Sequence, residues 1–466
     1  MGTSPATETR GTSLIQRVVE IRAEEKRALF ISCVFFFFVL GSYYLIRPVR
    51  EEMGVAGGVW NIPWLFTGTL VAMLVLHPPF AALVAKLPRR RAVTWTYGFF
   101  SLNLVLFALI LAVVSEAANI WVGRIFYIWT AVFSLFSVSV FWSVMTDLFT
   151  TAQGKRLFGF IGAGGTLGGL AGSGLTALLA TPLGPVGLLL LSAVVLQGGV
   201  VAMRRLIGVV DSLKSTPMTP LLEVPTDPGE QVPRPAAEAG ENAGTGPGAG
   251  AGEKPLGGSI LAGITNLVRS PYLLGICAYM LLFPIISTIL YMQQASIVAV
   301  TFTDRAVQTA FFARIDVAVN ALTLLTQLFF TGRIIRLLGV GLTLAILPIL
   351  CVIGFTALGF WQTLVVLVVF QTLRRATNYA VARPARETLY TVVSREDRYK
   401  AKNFMDTTVY RAADAIAGWA QTALHAIGLT MSAIAFTAVP LSILWLGVAL
   451  WLGRAQSRRL AGPPSD

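Results

Sequence analysis

The sequence predicts an all-α polytopic membrane protein of about twelve transmembrane helices in two six-helix halves. Three observations predict it. Of 466 residues, 55% are apolar and only 13% are charged, whereas a soluble domain carries roughly 25% charged residues. Apolar runs of about 18–25 residues, the length that crosses a bilayer, recur along the chain. A single long polar stretch of low complexity separates the sixth run from the seventh.

The runs lie near 28–46, 60–85, 92–114, 120–146, 158–180, 184–203, 271–297, 306–331, 338–360, 363–382, 405–425 and 431–453. Residues 1–27 read as a polar N-terminal tail. The run that begins at Ala28 lacks a small-residue cleavage site, so it reads as an uncleaved span. With the N-terminus in the cytoplasm, the cytoplasmic loops and both tails hold 28 of the 36 Lys and Arg residues. That asymmetry is the positive-inside pattern, and it places both termini in the cytoplasm. It also accounts for the net charge of +13 without any nucleic-acid partner. The expected location is a bacterial inner membrane.

The domain plan follows. A six-helix half over 28–205 leads into a cytoplasmic linker over 206–268, then a second half over 269–454 and a short tail over 455–466. The linker includes PTDPGEQVPRPAAEAGENAGTGPGAGAGEKP, Pro225 to Pro255. Gly, Pro, Ala and Glu without apolar periodicity bury too little surface to fold. At an offset of 246, Arg156 maps to Lys402, Phe158 to Phe404 and Gly172 to Gly418, each set at the basic entry to the fifth span of its half. Two related six-span halves form the parallel-repeat plan of major-facilitator transporters, in which substrate binds near mid-membrane between the halves.

Five stretches stand out, and in four of them charge falls where a span continues. A charged side chain there costs at least a few kcal/mol and marks a wet cavity or a partner. YYLIRPVREEMG, Tyr43 to Gly54, sets Arg47 and Arg50 three apart and Arg47 and Glu51 four apart, on one helix face. This reads as an anion contact at the mouth of a cavity, or as an interfacial boundary with snorkelling arginines. FWSVMTDLFTTAQGKRLFGFIGAGGTLGGLAGSG, Phe141 to Gly174, has glycines at three- and four-residue spacing inside an apolar span. No strand precedes them, so they read as close helix packing rather than a phosphate loop. Asp147, Lys155 and Arg156 read as a loop lock between spans. In the eighth span Arg314 and Asp316 point to nearly opposite faces and cannot pair with each other. In the tenth, Gln371 with Arg375 and Arg374 with Asn378 make two i, i+4 pairs, and Arg383 before Pro384 suggests that the span ends there. In the eleventh, Arg411 and Asp414 are three apart and share a face.

Other chemistry is excluded. Cys33, Cys277 and Cys351 fall within apolar runs and offer neither a disulfide framework nor metal-ligand spacing. His77 and His425 stand alone and read as structural hydrogen-bonders. There is no HExxH, nucleophile elbow or Walker motif, and no region that would fold as a soluble catalytic domain. No catalytic residue, cofactor or metal is expected.

The chain resembles the nucleotide transporter family of ATP/ADP translocases of plastids and intracellular bacteria. The likeness rests on YYLIRPVREEM, on FW followed by GKRLFGFIGAGG, and on YTVVSREDRYKAKNFMDTTVYRAAD. It implies a twelve-span major-facilitator-like fold and exchange of nucleotides. This chain departs from the family at four places. Arg50 stands where the family has a lysine, Thr130 stands near its fourth-span acid, and Asp414 occupies the place of its eleventh-span lysine. The seventh-span stretch ISTILYMQQASIV is uncharged.

The residues support a secondary transporter of a small anionic solute in the lipid bilayer, working by alternating access. Arg47, Arg50, Arg314, Arg374, Arg375, Asn378 and Arg411 are its expected substrate contacts, because Arg grips phosphate and carboxylate bidentately. Asp147, Lys155, Arg156, Asp316 and Asp414 are the expected coupling or gating residues. A proton-coupled carrier of a non-nucleotide solute and a transport-inactive sensor or scaffold are the alternatives.

Overall fold

The computed structural model describes residues 25–86, 89–215, 270–393 and 405–460. The N-terminal tail up to residue 24, most of the linker, and Arg395, Arg398, Lys400 and Lys402 lie outside the described residues. Among those described, every regular element is helical. In chain order they are α1 (Glu25–Ala56), α2 (Ile62–Lys86), α3 (Arg89–Val113), α4 (Glu116–Leu148) and α5 (Thr151–Ser215). After the linker come α6 (Pro271–Thr301), α7 (Arg305–Phe329), α8 (Thr331–Phe360), α9 (Leu364–Thr377), α10 (Arg383–Thr388), α11 (Tyr410–Ala426) and α12 (Met431–Leu460).

Nine of the described helices are long and apolar enough to cross a membrane. One of them, within α5, holds 55 spanning residues. At 1.5 Å per residue that is about 83 Å, more than twice a hydrocarbon layer of about 30 Å. It folds back at Gly184, whose φ of 61° lies in the left-handed region that glycine tolerates. α5 therefore carries two crossings. α9 and α11, at 14 and 17 residues, are shorter because a π-helical turn adjoins each, Asn378–Ala382 after α9 and Met405–Val409 before α11, and with those turns they complete twelve crossings. The second limb of α5 stays helical to Ser215, past Leu206 where the sequence begins the linker.

The helix of the tenth crossing continues past Pro384 to Thr388. A π-helical turn, Asn378–Ala382, joins α9 to α10, and Arg383 N–H bonds the Asn378 carbonyl. Proline cannot donate to the residue four back, and its ring crowds that carbonyl. The wider turn opens the space, and the hydroxyl of Thr331 donates to the freed Ala380 carbonyl at 2.7 Å. The helix thus continues through a position where the dipeptide rule alone would stop it.

Each half has its own core. One buried apolar cluster runs from Ala28 to Val210, with Ala310 added from α7. The other runs from Tyr272 to Leu452. Leu102, Leu106, Leu109, Val194, Val365 and Val369 are exposed on the outside, as befits a surface solvated by acyl chains. In the first half α1 and α5 run parallel in one register. A Cβ at Gly164, Gly168 or Gly172 would meet the carbonyl oxygen of Cys33, Phe37 or Gly41 at 2.6, 2.2 or 2.4 Å. One turn further, Thr176 donates to the Leu45 carbonyl at 2.9 Å. These glycines are a backbone-to-backbone seam.

Candidate functional site

The two halves meet at the end of the bundle where α1 terminates. Arg305 at the start of α7 donates to Glu52 of α1 at 2.5 Å. The Trp60 and His425 rings stack at 3.8 Å, and Trp64 meets Trp419 edge-on at 4.8 Å. A third apolar cluster (Val55, Ile62, Met292, Ala295, Val298 and Phe312) seals the seam beneath. α2 packs against α11, and the first limb of α5 packs against α7, a pseudo-symmetric exchange of the kind that the 246-residue offset anticipates.

Below this seal lies a buried polar cluster. Arg47 is nine residues from the end of α1, about 14 Å along the axis. Asp316, Arg375 and Asp414 lie about 17–18 Å from the same end of α7, α9 and α11. All four sit well inside a hydrocarbon layer of about 30 Å. Arg47 pairs with Asp316, and Arg375 Nη1 reaches the same Oδ1 at 2.7 Å. Asp316 is 2% exposed and is shared between two arginines. Arg375 Nη2 is buried and has no hydrogen-bond partner among the described residues.

Arg374 lies beside Arg375 but bonds only neutral groups. It donates to Gln371 Oε1 at 3.1 and 3.3 Å and to Ser287 Oγ at 2.7 Å. Gln371 in turn donates to Gln294 at 2.7 Å. The i, i+4 pairs read from the sequence therefore do not form. Arg374 turns back three residues to Gln371, and Arg375 crosses to α7, because the facing helices supply better acceptors than Asn378. Asn378 instead opens the π-helical turn.

Two satellites flank this centre. Arg50 bonds Glu51 at 3.0 Å and the Tyr127 carbonyl at 3.2 Å, and its guanidinium lies 3.7 Å over the Tyr127 ring. Tyr127 bonds Tyr291 across the halves at 3.1 Å. Glu51 also lies 3.8 Å from Arg47, and its Oε2 is buried without a hydrogen-bond partner among the described residues. On the other side Asp414 accepts from Thr288 at 3.0 Å and from Arg411 at 3.4 Å.

Three expected site residues lie elsewhere. Arg314 is exposed on α7, with no ion-pair or hydrogen-bond partner among the described residues. Two residues on a helix turn about 200°, so burying Asp316 in the cluster turns Arg314 out of it. Asp147 is exposed near the end of α4, and the side chain of Lys155 lies outside the described residues. Arg156 is held by Glu25 at 2.9 Å, which Gln153 also contacts at 3.1 Å. That contact ties the start of α5 to the start of α1, far from the central cluster.

Sequence reading missed Glu52, Tyr127, Tyr291, Ser287, Thr288 and Gln294. Glu52 carried a signal as the second of two adjacent acids after a charged span end. The others are polar residues of ordinary kind in apolar runs, and only tertiary packing singles them out.

No family model matches the chain, and no curated protein matches it by sequence. By structure it is similar to a bacterial homologue of the human lysosomal transporter Spinster, seen inward-facing and unoccupied. That likeness has a TM-score of 0.53 and 12% identity, covering 95% of this chain and 98% of the other. It is also similar to the human organic anion transporter MFSD10 (TETRAN), with a TM-score of 0.54 and 14% identity over 92% and 100% of the two chains. At such identities the likeness establishes the fold. The chain is a polytopic all-α membrane protein with a major-facilitator-like architecture, and neither likeness supports the nucleotide transporter family expected from its motifs.

Proposed function

We propose that the protein is a secondary transporter that carries a small anionic solute by alternating access. The observation that carries this reading is the charge of the central cluster. Asp316 is the carboxylate that Arg47 and Arg375 share, Arg374 beside them bonds only Gln371 and Ser287, and Arg375 Nη2 has no hydrogen-bond partner among the described residues. Uncompensated buried cations are costly, and an anion arriving between the halves would supply the missing partner. The similar transporters, one of them an organic anion transporter, support the same reading by analogy of fold. Nucleotide di- and triphosphates are the first solutes to test, since the motif resemblance points to them. Phosphorylated and carboxylated metabolites are the second, because Asp414 reverses the charge expected of a nucleotide carrier.

The test is uptake or exchange in proteoliposomes against a panel of labelled anions. A charge-assisted hydrogen bond is worth about 1.5–3 kcal/mol, so Arg374→Ala or Arg375→Ala should weaken transport about 10- to 100-fold while the protein stays folded. Lysine should restore the charge but not a two-pronged contact. Full activity in both alanine variants would remove these arginines from the site. The same reading places both termini and the linker in the cytoplasm of a bacterial inner membrane. Reporter fusions near Gly240 and at the C-terminus should both read cytoplasmic, and a periplasmic signal from either would overturn that topology.

A further inference from the structure

Two clefts open at the other end of the first half, remote from the buried cluster. One, of about 620 Å³, sets Arg27 and Arg205 against the apolar surface of Phe30, Ile31 and Val209. The other, of about 380 Å³, sets Arg90, Arg91 and Arg204 against Thr94 and Trp95. Arg204 and Arg205 are neighbours on the second limb of α5, so the two clefts lie on either side of one helix end. None of the five arginines has an ion-pair partner among the described residues. Phe30 and Trp95 are 69% and 67% exposed.

We propose that these clefts bind the phosphate groups of anionic phospholipids. The level is right. Arg27 immediately precedes the first apolar run, Arg91 immediately precedes the third, and Arg204 immediately follows the sixth. All three therefore sit where hydrocarbon gives way to headgroups. Positive-inside topology accounts for basic residues at that level, but it requires neither clefts nor apolar walls. A cleft with cations at its polar rim and apolar side chains below fits a molecule whose phosphate continues into an acyl chain. The guanidinium fork suits a phosphodiester, exposed Trp95 is of the type that anchors at this interface, and basic pockets between membrane helices recruit acidic headgroups. A free anion would use the arginines and leave the apolar walls bare.

The experiment compares the full-length protein in nanodiscs of phosphatidylcholine alone and of phosphatidylcholine with a minor fraction of phosphatidylglycerol. Phosphatidylglycerol should raise the thermal unfolding midpoint by several degrees and remain bound in native mass spectra. The double variant Arg204→Gln with Arg205→Gln touches both clefts and should lose most of that gain while matching the parent in phosphatidylcholine. If this pair is unstable in both lipids, Arg90→Gln with Arg91→Gln should show the same selective loss. An equal midpoint for the parent in both lipids would overturn the proposal. An undiminished gain in folded variants would do the same. Inorganic phosphate matching the lipid's effect in phosphatidylcholine discs would assign the clefts to a free anion instead.

Discussion

At the scale of single residues, the centre of the molecule is set by how few carboxylates face how many guanidiniums. Arg411 and Asp414 test whether the rim of that centre is structural or coupling. Asp414 stands where the resemblance expects a lysine, and it is held by Arg411 at 3.4 Å and Thr288 at 3.0 Å. Removing one partner of a buried pair strands the other, and Arg411 is partly exposed, which lowers the cost to about 1–3 kcal/mol. Asp414→Asn should lower the unfolding midpoint and slow transport, and adding Arg411→Gln should recover part of both. A double variant as inactive as the single one, with uptake by the parent driven by a pH gradient, would make Asp414 a coupling carboxylate. The arginines of this centre were legible in the sequence because charge inside an apolar run is conspicuous. Their pairings were not, although Asp316 itself was among the expected coupling residues. Asp316 lies 269 residues from Arg47, and no local spacing links them. Arg314 misled for the complementary reason: its charge is equally conspicuous, but helix phase turns it away.

At the scale of elements, the helices follow from apolar runs and the deviations from a few glycines and prolines. The glycine series of α5 shows how a pattern resembling a phosphate loop becomes a packing surface once it lies inside a span. Its parallel register with α1 repeats every four residues, Gly164, Gly168 and Gly172 against Cys33, Phe37 and Gly41. A side chain at Gly168 would collide with backbone, which cannot move aside. Gly168→Leu should therefore abolish the folded state in detergent, seen as loss of a monodisperse peak in size-exclusion chromatography. Gly174 lies on the same helix with open space around it, so Gly174→Ala should be neutral or stabilising by up to about 1 kcal/mol. Similar losses from both changes would deny the seam. The π-helical turn before Pro384 was not legible from the dipeptide. Whether a proline ends a helix or bends it depends on a distant acceptor's partner, here the hydroxyl of Thr331.

At the scale of the whole molecule, two cores meet through contacts that include a cluster at the end of α1, and the proposed alternating access requires that those contacts separate. They are of a separable kind. The Glu52–Arg305 bridge has a half-exposed arginine, and the stacked Trp60–His425 pair holds exposed His425 at the surface. Backbone comes close across the seam at Gly418, where a Cβ would lie 3.3 Å from the Cβ of Pro63. A disulfide spans about 3.5–4.5 Å between Cβ atoms, so Pro63→Cys with Gly418→Cys should crosslink after a small adjustment. The native Cys33, Cys277 and Cys351 are free and at least partly buried, so the parent serves as the oxidation control. If α2 and α11 must part at this end to admit or release the solute, oxidation should stop transport in the double variant and reduction should restore it. Each single cysteine should transport normally under both conditions. Undiminished transport by a fully crosslinked protein would show that this end does not open, and that the solute takes a route other than the seam between the halves.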